Sequence, residues 1–455
     1  MEPHCRGRRW RLDKALACAL QDSEVDLFAA LDMKGLDKTS PGPFMVDIKW
    51  GDDGMGDVKL KKGTEANVPD KVIRCSFVVH AISAEVEGED VVVWEDAGSG
   101  SSLNCRPLLI ARGDEGSFPS SSTLLQPILA EMSDIVASKM TLETSFGHRI
   151  FSFNFTGCMF DEKRVRHIQG LAGSGSRFLC TLCDATRDVA TSDPFDEVVT
   201  RSYDSHLSRY LKRKTNPDNL STKDLGEVVK GQCGKPYDEA HLSPTMDALH
   251  CLINVGSRVI KTLYVYEFAR VFTTKLSAKL MKPHKTNFDS VIRENLQIFT
   301  PLMPNGNYVR RLTEQKTVDF ILGRVDNSRL ESIRTFISTY NEMKAVYCSN
   351  QPLATCPELC ARYSQNAQVL TALIDTHFTY LKPFSNYFHK MIAHVPELLD
   401  RDKSVGKFSS SSNERANKDS RQFTLRNSRQ TSQFEMQDTL RIHWLYTSRR
   451  LQSAV

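Results

Sequence analysis

The sequence predicts a mixed α/β chain, with a strand-rich first part, a long helical insertion and a short return at the C-terminal end. Three observations predict it. Between Arg149 and Thr156, Phe151, Phe153 and Phe155 alternate with Ser152 and Asn154, the period of a strand with one buried face, and that strand runs out into a loop carrying Asp161. Shortly afterwards Cys180 and Cys183 stand at the spacing with which two thiolates grip one tetrahedral Zn²⁺, leaving two ligands to come from elsewhere. Beyond Cys183 the pattern turns helical, polar and irregular for about two hundred residues.

Taken in order, residues 10 to 35 place Leu12, Ala15, Leu16, Leu20, Val25, Leu27, Phe28 and Leu31 at helical spacing, with a break expected at the polar run Gln21 to Glu24. This is a helical lead-in over 1–40, ended by Pro41-Gly42-Pro43. Phe44, Val46, Ile48 and Trp50 then alternate as a first strand, which the turn Gly51-Asp52-Asp53-Gly54 should terminate. Further strands are expected from Val72 to Ala84 and from Asp90 to Glu95, with an extension at Pro107 to Ala111, and a helix from Ser120 to Ser138. The Phe-rich strand follows. The order strand, strand, strand, helix, strand, with acidic residues at the ends of the first and last, is the one a ribonuclease-H-like fold requires.

The chemistry explains the order. Mg²⁺ takes hard oxygen ligands, and two such ions roughly 3.5–4 Å apart clamp the attacking and leaving oxygens of a phosphodiester. Neighbouring strand ends bring two carboxylates that close, and a helix across the sheet edge can bring a third.

In the helical region, Met246 opens a helix expected to reach about Leu280, with Arg258, Lys261, Arg270, Lys275 and Lys279 outward. Further helices are expected near 315–325, 328–347 and 364–382, and no internal repeat is present. His389 and His394 are five apart, within the H-x₃₋₅-H zinc range. An isolated CxxC is as often a pair of buried thiols, and Cys356 and Cys360 are alternative ligands. If zinc joins Cys180 and Cys183 to His389 and His394, it closes the insertion at its entrance and exit. The lysines 275, 279, 282 and 285 read more readily as a solvated face than as a groove.

Ser409 to Ser412 is a low-complexity run, after which Ser412 or Asn413 can cap a helix with Glu414 in its first turn and Arg415, Lys418 and Arg421 along one side. A last amphipathic helix is expected from Phe434 to Leu451. The expected domains are therefore 1–40, 41–185 and 401–455 as the lead-in and two parts of the catalytic domain, with 186–400 as the zinc-binding insertion.

Composition bounds the reading. The chain has 455 residues, 40% of them apolar and 25% charged, enough for two or three domains. No run approaches the ~18 apolar residues of a membrane span, and the start lacks the apolar core of a signal peptide, so a soluble intracellular protein is expected. Its 12 cysteines then read as buried thiols or metal ligands. Residues 401 to 455 hold eleven Lys/Arg against five Asp/Glu, or +6, against +4 for the whole chain, so the basic end is where a polyanion would be held.

Four blocks carry a resemblance: Gly51-Asp-Asp53-Gly-Met-Gly-Asp57-Val58; Phe160-Asp161-Glu162-Lys163 with Cys180-Thr-Leu-Cys183-Asp-Ala-Thr-Arg187; Asn386-Tyr-Phe-His389 with His394-Val-Pro-Glu397; and His443-Trp-Leu-Tyr-Thr-Ser448. In order and spacing they resemble the catalytic core of V(D)J recombination-activating protein 1 and its Transib-type transposase relatives. The resemblance implies a DDE recombinase whose ribonuclease-H-like fold is interrupted by the helical zinc-binding insertion. It implies Asp53, Asp161 and Glu414 as ligands of two catalytic Mg²⁺ or Mn²⁺, with Asp52 and Asp57 as near competitors of Asp53, and Cys180, Cys183, His389 and His394 as ligands of one structural Zn²⁺. His250, otherwise a core histidine on an apolar helix, is implied beside the scissile phosphate, and Arg415, Lys418 and Arg421 flank the metal site as DNA contacts.

The implied activity nicks DNA beside recombination signals or terminal inverted repeats, then forms hairpins by attack of the freed 3′-hydroxyl on the opposite strand. The implied setting is the nucleus, with double-stranded DNA, a second copy of the chain and a kelch-type second recombination-activating subunit as partners, and no membrane. The resemblance does not extend to the family's nonamer-binding and N-terminal zinc regions, so recognition of a signal sequence and ligase activity are not carried over. Met303 stands where the vertebrate recombinases have arginine and resembles the transposase branch. The alternatives are a domesticated DNA-binding protein that does not cut, and another ribonuclease-H-like nuclease.

Overall fold

The computed structural model describes residues 6–58, 70–96, 98, 100–113, 125–195, 199–236, 243, 245–265, 278–323, 330–350, 357–429 and 434–448. The chain forms two compact units: residues 1–171, 234–244 and 410–455 make the first, and 172–233 and 245–409 the second. Cys180 and Cys183 thus fall in the helical unit, not in a catalytic segment ending at 185, and the lead-in belongs to the sheet unit.

The first unit is built on a seven-stranded sheet of β1 (Arg6–Arg9), β2 (Phe44–Asp57), β3 (Lys71–Val86), β4 (Glu89–Glu95), β5 (Arg106–Arg112), β6 (Met140–Thr144) and β7 (Gly147–Gly157). The order is β1-β5-β3-β2-β7-β6, with β4 also pairing β3. Strand β3 is antiparallel to β2 from Lys71 to Ala84, and its other edge is shared, with β5 beside Val72 to Phe77 and β4 beside Ala81 to Val86. The chain then passes through helix α2 (Leu125–Ser138) and returns as β7 parallel to β2, Phe44 facing Phe151 and Trp50 facing Gly157. A parallel neighbour needs such a crossover. Phe151, Phe153 and Phe155 are buried with Val46, Ile48, Phe77, Leu109, Ile128 and Met132 in one apolar core.

Three expectations change here. Helix α1 (Leu12–Met33) is unbroken, because the polar residues expected to interrupt it find partners: Asp22 pairs with Arg106 at 2.7 Å, and buried Glu24 accepts from the Ser145 amide and hydroxyl at 2.6 and 2.5 Å. Satisfied in this way, a polar run need not leave the helix. Strand β2 does not stop at Gly51 but continues to Asp57, with an irregularity between Gly54 and Gly56, where Gly56 has φ +75°. The expected extension at 107–111 is the full strand β5, and the short strands β1 and β6 were not anticipated. The helix expected from Ser120 is described from Leu125, residues 114–124 lying outside the described residues.

The second unit is helical: α4 (Arg187–Ser192), α5 (Tyr203–Thr215), α6 (Thr222–Val228), α7 (Ala248–Tyr264), α8 (Ala278–Leu296), α9 (Gly306–Thr313), α10 (Gln315–Leu322), α11 (Leu330–Tyr347), α12 (Pro357–His377), α13 (Asn386–His389) and α14 (Val395–Asp402). Their apolar faces meet in a core that includes Val255, Val259, Phe336, Tyr340, Tyr363, Ile374 and Phe388. Helix α7 ends at Tyr264, short of Leu280, and Arg270 and Lys275 lie outside the described residues. Arg258, expected outward, is half-buried and donates to the carbonyls of Leu381 and Pro383, each at 3.0 Å. Lys279 and Lys282 are exposed, and Lys285 pairs with Asp289 at 2.7 Å. No helix among the described residues is long and apolar enough to cross a membrane.

The chain re-enters the first unit with α15 (Ser411–Arg426) and α16 (Glu435–Thr447). Ser410, not Ser412 or Asn413, is the residue before the first turn of α15. Asn413 is buried instead, accepting from Arg74 at 3.0 Å and from Ser76 at 2.5 Å on β3. Helix α16 is held to β5 by the buried pair Arg112–Glu435, in which Nη2 donates to Oε2 at 2.9 Å.

Candidate functional site

In the first unit, the strand end of β7 is locked to β2 before the chain reaches Asp161. The Trp50 carbonyl accepts from the amides of Cys158 and Met159, both at 3.1 Å, and Trp50 meets Phe160 edge-on at 5.2 Å. Gly51 permits this approach, since a β-carbon there would lie 2.2 Å from the Met159 carbonyl oxygen. Asp161 is the N-cap of helix α3 (Glu162–Ile168), its Oδ1 accepting from the Arg164 amide at 2.6 Å. Arg164 turns its guanidinium back onto β2 and donates to both oxygens of Asp52 at 2.7 and 2.5 Å, with both side chains buried.

Asp53 is the half-buried neighbour of Asp52 and, by strand alternation, faces the other way. It meets α15: Asn417 Nδ2 donates to Asp53 Oδ2 at 2.7 Å, while Oδ1 accepts from the Gly54 amide at 2.8 Å. Glu414 lies one turn before Asn417 on the same helical face and is half-buried. Asp57 is the exposed last residue of β2, and its carbonyl accepts from Arg421 at 3.0 Å. Arg415, Lys418 and Arg421 are all exposed on α15. One unit therefore holds Asp53, Asp161 and Glu414 on β2, at the head of α3 and in the first turn of α15, and each offers the oxygen chemistry that Mg²⁺ or Mn²⁺ takes.

In the second unit Cys180, Cys183, His389 and His394 converge, all buried, with their ligand atoms within 4.8 Å of one another. Cys183 Sγ is 3.3 Å from His389 Nε2 and 3.2 Å from His394 Nε2, and Cys180 Sγ is 3.6 Å from His394 Nε2. Bond lengths of about 2.3 Å to sulfur and 2.0–2.1 Å to nitrogen give a tetrahedral zinc a sulfur–nitrogen edge of roughly 3.6 Å, so the four atoms fit that ion. The alternative ligand Cys360 is half-buried outside this group, and Cys356 lies outside the described residues.

Local structure explains the convergence. Cys180 to Thr186 form a tight knuckle, with Leu179 bonded to Ala185 and the Leu182 amide 3.3 Å from Cys180 Sγ. On the other side, residues five apart on an α-helix lie about 140° apart around the axis, too far to share one ion. Lys390–His394 instead forms a π-helical turn, whose i→i+5 repeat brings His389 and His394 to one side. Pro396 follows, with no amide hydrogen for the Ile392 carbonyl, and Tyr363 donates to the Met391 carbonyl at 2.8 Å.

The electrostatics suit a cation. Burial opposes ionisation of Cys180, yet the hydrogen bond from Cys183 and the charge of His394 bring its thiol well below the ordinary range. The hydrogen bond to Cys180, together with burial, pushes Cys183 up. His394 is raised to about 9, against the effect of burial, by the Cys180 charge and by Glu397, whose Oε2 is 3.2 Å from Nδ1. A carboxylate on the far nitrogen of a metal-bound histidine fixes its tautomer and orientation.

His250 lies in the second unit, half-buried on α7, with Nδ1 bonded to Asp247 and its ring stacked on Tyr387 at 6.2 Å. Asp247 also accepts from the Ser409 hydroxyl at 3.1 Å. Sequence reasoning assigns no role to Asp247, Glu397, Arg164 or Asn417. For two of them a spacing signal exists, since Glu397 follows His394, and Asn417 follows Glu414, by three residues.

Comparison with known proteins gives four matches in chain order: the RNase H domain of recombination-activation protein 1 (RAG1) over residues 45–176, its ZnC2 domain over 178–238, its ZnH2 domain over 244–403 and its C-terminal domain over 411–455. V(D)J recombination-activating protein 1 of Sus scrofa is 36% identical over 458 residues, and that of Xenopus laevis 37% over 450, in each case 98% of this chain and 43% of the relative. The protein of the same name from Ginglymostoma cirratum is 44% identical over 105 residues, 23% of this chain and 99% of that sequence. The chain thus spans less than half the length of the Sus scrofa and Xenopus laevis relatives.

Proposed function

This chain belongs to the recombination-activation protein 1 family, and on that premise we propose that it is a metal-dependent DNA endonuclease and strand transferase, a recombinase or transposase. It nicks one strand of duplex DNA beside a recombination signal or terminal inverted repeat with water as nucleophile. The freed 3′-hydroxyl then attacks the opposite strand and leaves a hairpin.

The observation that carries this reading is the hydrogen bond from Asn417 to Asp53, which seats the helix of Glu414 on the strand of Asp53, in the unit that also holds Asp161. In this reading the sheet unit is a ribonuclease-H-like DDE domain whose chain is interrupted by the zinc-bearing helical unit, and Asp53, Asp161 and Glu414 hold two divalent ions. Those ions, Mg²⁺ or Mn²⁺, activate the nucleophile and stabilise the leaving oxygen. A pair of ions spans more than one coordination shell, so three carboxylates that serve both need not be as tightly grouped as the zinc ligands. Arg415, Lys418 and Arg421 contact the DNA backbone, and His250, held by Asp247 within the helical unit, is a phosphate contact. Zinc is structural. The protein works in the nucleus as a homodimer, with a kelch-type second subunit.

The test is product form. The purified, zinc-replete chain is given a pre-nicked duplex with Mn²⁺, beside an Asp161→Asn control, and the products are run on a denaturing gel. Hairpins from the wild type alone are expected. A folded protein that binds duplex in a salt-dependent way but makes no hairpins is a DNA-binding protein that does not cut.

A further inference from the structure

We infer that Asn417 is a positioning residue for divalent-metal binding, fixing the carboxylate of Asp53 so that it can share an ion with Glu414; this rests on the two-metal reading above. Three observations lead there. Asn417 is 6% exposed, and its Nδ2 donates to Asp53 Oδ2 at 2.7 Å. It stands one helical turn from Glu414, so the bond also sets how far Glu414 lies from Asp53 along β2. Its Oδ1 is buried with no hydrogen-bond partner among the described residues, although a buried amide oxygen ordinarily has one.

The contrast with Asp52 shows why the donor is an amide. Arg164 grips both oxygens of Asp52, and the guanidinium charge neutralises the carboxylate. The amide of Asn417 is neutral, so it orients the Asp53 carboxylate without bringing a compensating charge of its own. The Gly54 amide on Oδ1 and Asn417 on Oδ2 fix the plane of the Asp53 carboxylate from two sides. The orphaned Asn417 oxygen can then accept a hydrogen from a water on the bound ion. This is the role that outer-shell groups play when they orient a metal's own ligands.

The experiment measures metal binding, not turnover. Mn²⁺ is titrated into the zinc-replete chain and followed by electron paramagnetic resonance, for the wild type, Asn417→Ala, Asp53→Asn and the double variant, with thermal unfolding of each as the control for folding. Asn417→Ala should weaken Mn²⁺ binding by about tenfold, with an unfolding midpoint near that of the wild type. In the Asp53→Asn background the same change should have no further effect, because its target is gone. An Asn417→Ala protein that binds Mn²⁺ as tightly as the wild type, or loses the same factor with and without the Asp53 carboxylate, overturns the inference. If Asp53→Asn itself leaves Mn²⁺ affinity intact, the metal reading of Asp53 has failed, and the role of Asn417 fails with it.

Discussion

Asp52 and Arg164 form a buried two-bond pair between β2 and the first turn of α3, while Asp53, the next residue, turns to the opposite side and meets α15. Two adjacent aspartates, indistinguishable by type, are thereby separated into one that joins secondary-structure elements and one that faces the glutamate helix. Removing one member of a buried pair strands the other charge. Arg164→Ala should therefore destabilise the sheet unit by roughly 3–5 kcal/mol, read from the denaturant transition of that unit. The double change Asp52→Leu with Arg164→Met should recover most of the loss.

The zinc centre predicts a graded response. Glu397 touches only the outer nitrogen of His394, so Glu397→Gln should keep the zinc at one ion per chain but weaken its affinity by about tenfold, as measured by competition with a chromophoric chelator. Cys183→Ser removes a ligand and should leave the purified chain without stoichiometric zinc by mass spectrometry. Equal affinity in Glu397→Gln and the wild type would show that the contact at 3.2 Å has no bearing on the metal.

A buried histidine gives the helical unit a defined acid sensitivity. Burial holds His206 at about 4, below the ordinary 6.5, while the Gln232 side chain, 2.8 Å from Nδ1, acts in the opposite direction. Between those two values the unfolded chain binds the proton and the folded chain does not. Stability therefore falls as the pH drops from about 6.5 to about 4 and is unaffected by this group above that window. The loss is on the order of 3 kcal/mol. The difference in unfolding free energy between the wild type and His206→Asn, followed across that range, should change by this amount.

DNA binding should report the exposed face of α15. Every phosphate that a variant no longer neutralises lowers the slope of log K against log salt by about one. Arg415→Ala, Lys418→Ala and Arg421→Ala should therefore each weaken duplex binding similarly for all sequences and flatten the slope, measured by fluorescence anisotropy from low to moderate salt. An unchanged slope in all three variants would place the DNA on another face.

The sequence alone was enough to find the buried face of β7, the sheet-then-helix division, the cysteine pair, two histidines at zinc spacing and the helix of Glu414. Each is written in local periodicity or short spacing, and periodicity reports which side of an element is buried. It does not report what that side meets. The different partners of Asp52 and Asp53 come from Arg164, more than a hundred positions away, and from Asn417, more than three hundred away. The continuity of α1 depends on Arg106 and Ser145, and the convergence of His389 and His394 on a π-helical turn that composition does not announce. Only the packed chain decides these, because a buried polar group is specified by the partner that satisfies it, and that partner is brought near by the fold.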